Sequence, residues 1–350
     1  MKILILGVNG FIGHHLSARI LAATDWRIYG MDMYSDRIAP LQGNPRLQFF
    51  EGDITINREW IEYHVKKCDL VLPLVAIATP ATSVREPLRV FELDFEANLY
   101  IVRLCVKHGK RVLFPSTSEV YGMCRDAEFD PYASELVYGP IEKPRWIYAC
   151  SKQLLDRVIH AYGLRGELDY TLFRPFNWIG PGLDNLNAAK EGSSRVITQF
   201  LGHIVRGENV QLVDGGRQRR CFTGVSDGID ALMKIIENRG GRASRRIYNI
   251  GNPANSLSVR ELAEQMLAIA AEYAEYRASA ARVRLVETTA AAYYGSGYQD
   301  VEHRVPRIEN TRAELDWSPR VSMQEALRQI FDAYRGQTVQ AGALLEEPRG

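Results

Sequence analysis

Cysteine is scarce in this 350-residue chain, and its arrangement excludes several kinds of protein. The five cysteines are scattered, odd in number and form no C-x-x-C pair, which argues against a disulfide framework and against a zinc ribbon. We therefore expect buried free thiols in a reducing cytoplasm. The seven histidines show no H-E-x-x-H spacing, so the sequence predicts no metal site.

An excess of one charge sign and long apolar runs are also missing. A formal net charge of +1 gives no reason to expect nucleic acid or an anionic membrane as a partner. No apolar stretch reaches the length of a membrane span, and the N-terminus leads directly into a short apolar strand, without a visible export signal. What remains is a globular chain with 46% hydrophobic residues, long enough for one large or two modest domains. We predict a cytoplasmic protein.

A glycine-rich stretch at residues 7–13, Gly-Val-Asn-Gly-Phe-Ile-Gly, is the strongest feature that is present. It lies between a short apolar run and a segment with helical apolar periodicity. Gly7 allows a tight turn, Gly10 lets the backbone approach a pyrophosphate, and Gly13 lets helix and strand pack closely. Asp32 ends the next apolar run, where a carboxylate can hold a ribose diol. An ordinary structural turn is the alternative, but the position after a strand and Asp32 favour a dinucleotide site.

The residues after Asp32 bear on the choice of dinucleotide. Met33 and Tyr34 follow it, which favours NAD over NADP, although Arg37 is close by. Asp53 follows another strand and either binds the adenine amino group or caps a helix near Thr55. The residues predicted to contact the cofactor are Gly7, Asn9, Gly10, Phe11, Ile12, Gly13, Asp32, Asp53, Ile54, Ala76, Tyr148 and Lys152.

Strands and helices alternate along the first half of the chain, which predicts a doubly wound parallel sheet of the Rossmann type. Further strands are predicted at 47–51, 69–75, 110–115 and 169–174, and helices at 87–108 and 144–162. Beyond Pro175 the loops lengthen and the strands shorten, which indicates a smaller C-terminal α/β lobe for the substrate. We predict a dinucleotide domain over 1–175, elements near 225–250 that return to it, a substrate lobe over 176–335 and a flexible tail over 336–350.

Tyr148 and Lys152 form the main catalytic candidate. Residues four apart lie on one face of a helix, so the two side chains are neighbours. An ammonium beside a phenol favours the phenolate and lowers its pKa, and a nicotinamide cation acts in the same direction. Tyr148 is therefore predicted to be a general base near neutral pH, although the Y-x-x-x-K pattern also occurs by chance in helices.

Thr117, Ser118 and Glu119 follow the strand at 110–115. Open α/β sheets place their active sites at this carboxyl edge, so a hydroxyl here can align a substrate hydroxyl with Tyr148. Glu119 adds a carboxylate beside the same site. The alternative is an ordinary Ser/Thr turn with a capping glutamate.

These segments, together with residues 174–177, resemble the extended short-chain dehydrogenase/reductase superfamily in its nucleotide-sugar branch, over about residues 1–335. The Ser118-Glu119 pair is similar to that of UDP-glucuronate decarboxylases, whereas the 4-epimerases usually lack the glutamate and the 4,6-dehydratases usually carry Asp-Glu. Residues 177–181 and 298–306 closely resemble the decarboxylase domain of the bacterial aminoarabinose pathway, and residues 219–227 resemble the family's diphosphate-binding segment.

The resemblance implies NAD-dependent oxidative decarboxylation of UDP-glucuronic acid to a UDP-4-keto-pentose, which a further step reduces to UDP-xylose in some members. A 4-epimerase or 4,6-dehydratase, and a non-catalytic dinucleotide sensor, are the alternatives. The implied catalytic residues are Thr117, Ser118, Glu119, Tyr148, Lys152 and Arg304. The implied substrate contacts are Asn177, Arg195, Arg220, Tyr298 and Arg304, where Arg195 and Arg220 are otherwise ordinary surface arginines.

Two further expectations come with the resemblance. Glu119 is expected to be the acid that reprotonates the sugar, because an arginine is a poor proton donor, and Arg304 is expected to clamp the substrate carboxylate. A homodimer or higher homo-oligomer is expected, paired through the helices near 90–108 and 145–162 in a four-helix bundle.

Overall fold

A parallel sheet lies at the centre of the computed structural model, which describes residues 1–186, 195–294 and 298–335. The strands of the described residues are β1 Lys2–Leu6, β2 Arg27–Asp32, β3 Leu47–Glu51, β4 Leu70–Pro73, β5 Arg111–Pro115, β6 Tyr170–Pro175, β7 Trp178–Ile179, β8 Val210–Val213, β9 Arg219–Cys221, β10 Thr223–Gly224, β11 Arg246–Ile250, β12 Ser256–Ser258 and β13 Leu285–Thr288. Seven of these strands form the central sheet, in the order β11-β6-β5-β4-β1-β2-β3.

Helices connect the strands and cover both faces of the sheet. The helices of the described residues are α1 Phe11–Ala23, α2 Arg58–Lys67, α3 Pro80–Arg85, α4 Pro87–Phe91, α5 Asn98–Lys107, α6 Ile147–Leu164, α7 Val196–Arg206, α8 Val225–Glu237, α9 Val259–Glu272, α10 Ala274–Ala280, α11 Ala290–Tyr294, α12 Glu309–Leu315 and α13 Met323–Tyr334. No helix in this part of the chain has both the length and the apolar character that a bilayer crossing requires.

The strand order reverses beside β1, which positions the site. β1 pairs in parallel with β2 on one side and with β4 on the other, so the chain winds outward in both directions from this strand. A crevice opens at the carboxyl ends of β1 and β4, where doubly wound sheets bind their ligands. The predicted doubly wound α/β fold with a smaller C-terminal lobe is confirmed. After α8 the chain returns to the sheet through β11, which pairs with β6.

Alternate residues of β1 supply two cores on opposite faces of the sheet. Ile3 and Ile5 pack with apolar side chains of α1 and α8 on one face. Leu4 and Leu6 pack with those of α2, α5 and α6 on the other. Because successive side chains of a strand point to opposite faces, a strand buried on both faces has the continuous apolar run seen at residues 3–6.

The C-terminal part of the chain forms small two-stranded sheets beside this core. β8 pairs with β13, β9 with β12, and β7 with β10. A capping box starts α9: the Ser258 hydroxyl accepts from the Glu261 amide at 3.1 Å, and Glu261 Oε2 accepts from the Ser258 amide at 2.7 Å. The predicted tail at 336–350 lies outside the described residues, and the division of the chain into two domains stays a prediction.

The predicted helix over 87–108 differs from the structure. Helices α4 and α5 are separated by a π-helical turn, Glu92–Ala97. Asn98 explains the interruption, because its side-chain amide donates to the carbonyl of Leu93 at 3.0 Å and to that of Val75, beyond the helix, at 3.2 Å. The chain is helical over 87–107, close to the prediction, but the π-helical turn was not predicted, because apolar periodicity does not show where a side chain competes for backbone carbonyls.

Candidate active site

The glycine-rich turn has the geometry of a dinucleotide cradle. Gly7 has φ +89°, in the left-handed region, and its amide donates to the carbonyl of Met31 at 2.8 Å. A Cβ on Gly7 would lie 3.0 Å from the amide nitrogen of Val75, and a Cβ on Gly13 would lie 2.3 Å from the carbonyl oxygen of Gly7. The glycines thus bring β1, α1 and the segment after β4 into contact that no larger residue permits.

A substitution of Gly13 by alanine tests this close packing. We expect Gly13→Ala to destabilise the protein by about 1–3 kcal/mol and to weaken NAD binding, because the methyl group forces α1 away from the turn. Thermal unfolding and NAD titration calorimetry measure the two effects. Gly43→Ala is the matched control, since a Cβ on Gly43 meets no atom within 4 Å. Equal behaviour of the two variants would contradict the role given to Gly13.

Asp32 is fixed to the glycine-rich turn at the end of β2. Its Oδ2 accepts from the amide of Asn9 at 2.9 Å, and its Oδ1 accepts from the amide of Met33 at 2.8 Å. Burial raises the pKa of Asp32, while these amides lower it. The Asn9 side chain in turn accepts from the amides of Arg37 and Ile38 at 2.8 and 2.9 Å. The first turn of α1 has no side-chain cap, so its amides are available to a diphosphate. The glycine-rich turn and Asp32 therefore fit a dinucleotide.

The other predicted cofactor residues lie around this cradle in different roles. Phe11 and Ile54 are buried in the two cores, Ile12 packs against the first of them, and Ala76 is half-buried after β4. Asp53 uses Oδ1 to accept from the amide and the hydroxyl of Thr55, both at 2.8 Å. Since α2 begins at Arg58, Asp53 closes the preceding turn and does not cap the helix.

Glu119 lies between two guanidinium groups. The 3₁₀ turn Ser118–Tyr121 is capped by Thr117, whose hydroxyl accepts from the Glu119 amide at 3.2 Å. Arg304 Nη1 lies 3.4 Å from Glu119 Oε1 and 3.5 Å from Ser118 Oγ. Arg145 Nη2 lies 3.4 Å from Glu119 Oε2. Burial opposes ionisation of Glu119, but Arg145 and Arg304 outweigh it, so the pKa of this carboxyl is below its usual value.

Sequence reasoning missed Arg145. Its side chain is buried, and its guanidinium carbon lies 4.4 Å from the ring centroid of Trp146. Over the described ranges, its Nε and Nη1 have no hydrogen-bond partner. It lies on the 3₁₀ turn Pro144–Trp146, directly before α6. The available signal was its position three residues before Tyr148, which places both on neighbouring turns of the chain.

Tyr148 and Lys152 are buried together on α6, but the pKa of the phenol is raised and not lowered as predicted. Burial raises the pKa of Tyr148, Asp94 and Glu119 raise it further, and a hydrogen bond with Thr117 lowers it. The ammonium of Lys152 instead pairs with Asp94, at 3.7 Å between Nζ and Oδ1. The prediction failed on this point because the sequence does not show which acid folds against the lysine.

The predicted substrate residues lie in two places. Arg220 bonds to Asp300 Oδ1 at 2.5 Å and contributes to the low pKa of Glu119, so it lies near Glu119. Tyr298 lies in the same place: its ring centroid is 5.4 Å from the guanidinium carbon of Arg145. Arg195 lies near the glycine-rich turn, paired with Asp184 at 2.7 Å and 5.5 Å from the ring centroid of Phe11.

Asn177 follows β6 in the left-handed region, with φ +38°. Its side-chain amide donates to the carbonyl of Cys221 in β9 at 3.0 Å, and its own carbonyl accepts from the Thr223 amide at 3.2 Å. Asn177 therefore joins the end of the central sheet to the strands that carry Arg220. In the described part of the chain, no His, Cys, Asp or Glu residues form a group that could hold a metal ion.

A buried ionic network supports the catalytic helix from behind. Asp156 of α6 accepts from Ser116 Oγ at 2.6 Å and from Arg174 Nη2 at 3.2 Å. Arg174 Nη1 also donates to the Tyr121 hydroxyl at 2.9 Å. The network fixes α6 against the ends of β5 and β6, and therefore fixes Tyr148 relative to the Thr117–Glu119 turn.

Comparison with known proteins places the chain in a family. Residues 3–251 match the model of the NAD dependent epimerase/dehydratase family. The crystal structure of the PbgP3 protein from Burkholderia pseudomallei is 68% identical, covers 98% of both chains and has a TM-score of 0.89.

Two more distant structures share the fold. UDP-glucose 4-epimerase from Thermotoga maritima, solved with UDP-glucose, is 22% identical over 96% of this chain and 99% of its own, with a TM-score of 0.77. The dTDP-glucose 4,6-dehydratase DesIV from Streptomyces venezuelae, solved with NAD and TYD, is 22% identical over 97% and 98%, with a TM-score of 0.80. With the family model matching most of the chain, this protein belongs to the NAD-dependent epimerase/dehydratase family, and the prediction of NAD as its cofactor is confirmed.

Proposed function

We propose that this protein catalyses the NAD-dependent oxidative decarboxylation of UDP-glucuronic acid to UDP-4-keto-pentose. The observation that carries the proposal is the charge around Glu119. Two buried guanidinium groups, those of Arg145 and Arg304, surround this single carboxylate, which leaves one positive charge for a ligand. In the part of the chain that the structure describes, Arg145 Nε, Arg145 Nη1 and Arg304 Nε have no hydrogen-bond partner. A second carboxylate, such as that of a uronic acid, supplies both the charge and the acceptors.

The nucleotide part of the substrate is supported by the relatives. The structures solved with UDP-glucose and with TYD belong to proteins of the same fold that act on nucleotide-linked hexoses. Here Tyr298, stacked on Tyr294 at 4.0 Å between ring centroids, and Arg220 lie beside Glu119 and its arginines. We infer that they hold the UDP part while Glu119 and its arginines face the hexuronate.

Oxidation comes first in the mechanism we propose. Bound NAD supplies the hydride acceptor. Tyr148 takes the proton of the C4 hydroxyl, and Thr117, hydrogen-bonded to Tyr148, orients the phenol toward it. The product of this step is a ketone at C4, β to the carboxylate on C5.

Decarboxylation follows from the position of that ketone. The electrons of the bond between C5 and the carboxylate move into the enolate of the C4 carbonyl as carbon dioxide leaves. Thr117, Ser118 and Tyr148 are placed to donate hydrogen bonds to the developing oxyanion. Arg304 and Arg145 hold the carboxylate until it leaves. They thereby keep the C5–carboxylate bond, which breaks, outside the plane of the C4 carbonyl.

Glu119 is ionised in the free protein, so its expected role as an acid needs one further condition. The low pKa of Glu119 depends on Arg145 and Arg304. A substrate carboxylate that binds the same guanidinium groups reduces their effect on Glu119 and raises its pKa. We propose that Glu119 takes up a proton on substrate binding and donates it to C5 after carbon dioxide has left.

The direct test is to mix the purified protein with NAD and UDP-glucuronic acid, and to follow carbon dioxide, NADH and the sugar product by NMR. We expect carbon dioxide and UDP-4-keto-pentose. NADH that accumulates with the ketone indicates release before reduction, and UDP-xylose without net NADH indicates reduction on the enzyme. UDP-glucose is the control substrate: conversion to UDP-galactose or to a 4-keto-6-deoxy sugar, with no carbon dioxide from UDP-glucuronic acid, would replace our proposal with an epimerase or a dehydratase.

We also propose that two copies pair through α5 and α6. Leucines on and near these helices are exposed in a single chain: Leu154 is 45% and Leu164 is 76% exposed, and Leu88 of the neighbouring α4 is 72% exposed. Exposed leucines on packed helices suit a four-helix bundle between copies.

A further inference from the structure

A fully buried acid faces the lysine of the active site. Asp94 lies in the π-helical turn between α4 and α5 and has 0% exposure, and Lys152 has 1%. Asp94 Oδ1 and Lys152 Nζ are 3.7 Å apart, and neither atom has a hydrogen-bond partner among the described residues. The second carboxylate oxygen accepts from the amide of Ile77 at 2.9 Å. Lys152 is thus close to an acid that has no role in the reaction steps proposed above.

The same turn holds the backbone on both sides of Ala76. Asn98 donates to the carbonyl of Val75 at 3.2 Å, and Asp94 accepts from the amide of Ile77. Both side chains are fully buried and both anchor this cofactor-side segment. They differ in charge, because only Asp94 carries a carboxylate and only Asp94 faces Lys152. An amide at position 94 could make the same backbone contact, so anchoring alone does not require an acid.

A buried ammonium requires a counter-charge, since burial favours its neutral form. Burial lowers the pKa of Lys152, and Asp94, followed by Asp156, raises it. Asp156 is already paired with Arg174, so Asp94 is the nearer counter-charge. The same carboxylate raises the pKa of Tyr148.

Two further charged groups face Tyr148 from other elements. Glu119, from the 3₁₀ turn after β5, raises the pKa of Tyr148, and Arg304, from the segment before α12, lowers it. Neither residue contributes to the pKa of Lys152, whereas Asp94 acts on both groups. Asp94 is therefore the acid that affects both the pKa of the Lys152 ammonium and the pKa of the Tyr148 phenol.

We propose that Asp94 is a positioning residue that acts through Lys152: it keeps the buried ammonium charged and draws it toward the π-helical turn, away from the hydroxyl of Tyr148. The inference rests on the proposed role of Tyr148 and Lys152 in oxidation. Asp94 then shifts the pKa of the lysine and the pKa of the phenol in the same direction. A negative charge favours the protonated form of both neighbours, so its removal lowers the pKa of both.

The test compares Asp94→Asn with Asn98→Ala. Asp94→Asn keeps the shape and the acceptor for Ile77 but removes the charge. We expect the acidic and the alkaline limbs of the pH profile of kcat both to move about one pH unit lower. Asn98→Ala loosens the same backbone segment without a change of charge. We therefore expect it to lower turnover or NAD affinity and to leave both limbs of the pH profile at the same pH. Reduced turnover of Asp94→Asn with unmoved limbs, or an equal shift in Asn98→Ala, would overturn the proposal.

A measurement without substrate separates this inference from the proposed function. In Asp94→Asn the pKa of Lys152 in the folded state falls further below that of the unfolded chain. The unfolded state then binds more protons between these two values, so stability rises with pH across that window. The thermal-unfolding deficit of the cofactor-free variant should therefore be largest near neutral pH and shrink toward about pH 10. The Asn98→Ala deficit should be constant, and a constant deficit in Asp94→Asn would count against Asp94 even if carbon dioxide release were confirmed.

Discussion

Replacing Tyr148 with phenylalanine is expected to lower the rate of NAD reduction in the presence of UDP-glucuronic acid about a thousandfold. The phenol is the group that we propose takes the substrate proton, because it is buried and lies on the same helix as Lys152. Phenylalanine fills the same space without the oxygen, so the loss falls on kcat. Stopped-flow absorbance of NADH under single turnover measures the step directly.

Tyr138→Phe is the matched control for this prediction. Tyr138 is half-buried, and its hydroxyl donates to the carbonyl of Val120 at 2.7 Å, next to the active-site turn. Its ring lies 5.7 Å from that of Trp146, at the start of α6. We expect this variant to lose some stability and to keep turnover within a few-fold of the parent protein. If Tyr148→Phe retained comparable turnover, Tyr148 would not be the base.

The fold was predictable because its signals are local. The glycine-rich turn, the apolar runs and the alternation of strands and helices all lie within short stretches of chain, and each is visible in the order of neighbouring residues. The π-helical turn at Glu92–Ala97 was not predictable in this way. It depends on the side chain of Asn98, which binds a carbonyl 23 residues earlier, at Val75.

The candidate site was predictable only in part, for the same reason. Tyr148 and Lys152 are four residues apart on a helix, so their proximity could be read from the sequence. Arg304 and Glu119 are 185 residues apart, and only the resemblance to a family linked them in advance. Asp94 and Arg145 gave no comparable signal, because their importance comes from burial beside charges that lie elsewhere in the chain.

The ionisation of Glu119 shows the limit most clearly. Its sequence context favoured an acid, whereas the folded protein surrounds it with the guanidinium groups of Arg145 and Arg304 and lowers its pKa. Which charges surround a buried carboxyl is a property of the tertiary structure. The proposed mechanism therefore assigns the carboxylate clamp to the arginines and makes proton uptake by Glu119 depend on the bound substrate.

Changing Arg304 to lysine is expected to lower kcat/KM for UDP-glucuronic acid about a hundredfold and to leave the inhibition constant of UDP-glucose unchanged. Lysine keeps the charge but cannot present two parallel N–H donors to a carboxylate. A buried charge pair with poor geometry contributes much less to the binding free energy. UDP-glucose has no carboxylate on C5, so it does not use the clamp. Steady-state kinetics with UDP-glucose as a competitive inhibitor give both quantities from one preparation.

Arg220→Lys separates a carboxylate clamp from a general loss of nucleotide binding. Arg220 bonds to Asp300 and to the carbonyl of Val301 at 2.7 Å, and so supports the segment that carries Tyr298. We expect Arg220→Lys to weaken UDP-glucuronic acid and UDP-glucose by similar factors, because it acts on the part that both ligands share. Arg304→Lys should weaken the binding of UDP-glucuronic acid but not that of UDP-glucose. In the proposed complex, Arg304 Nε and the guanidinium of Arg145 contact only the carboxylate, which UDP-glucose lacks. Turnover of Arg304→Lys with unchanged affinity for UDP-glucuronic acid, or an equal loss for both ligands, would contradict the clamp and with it the reason that this site accepts an acidic sugar.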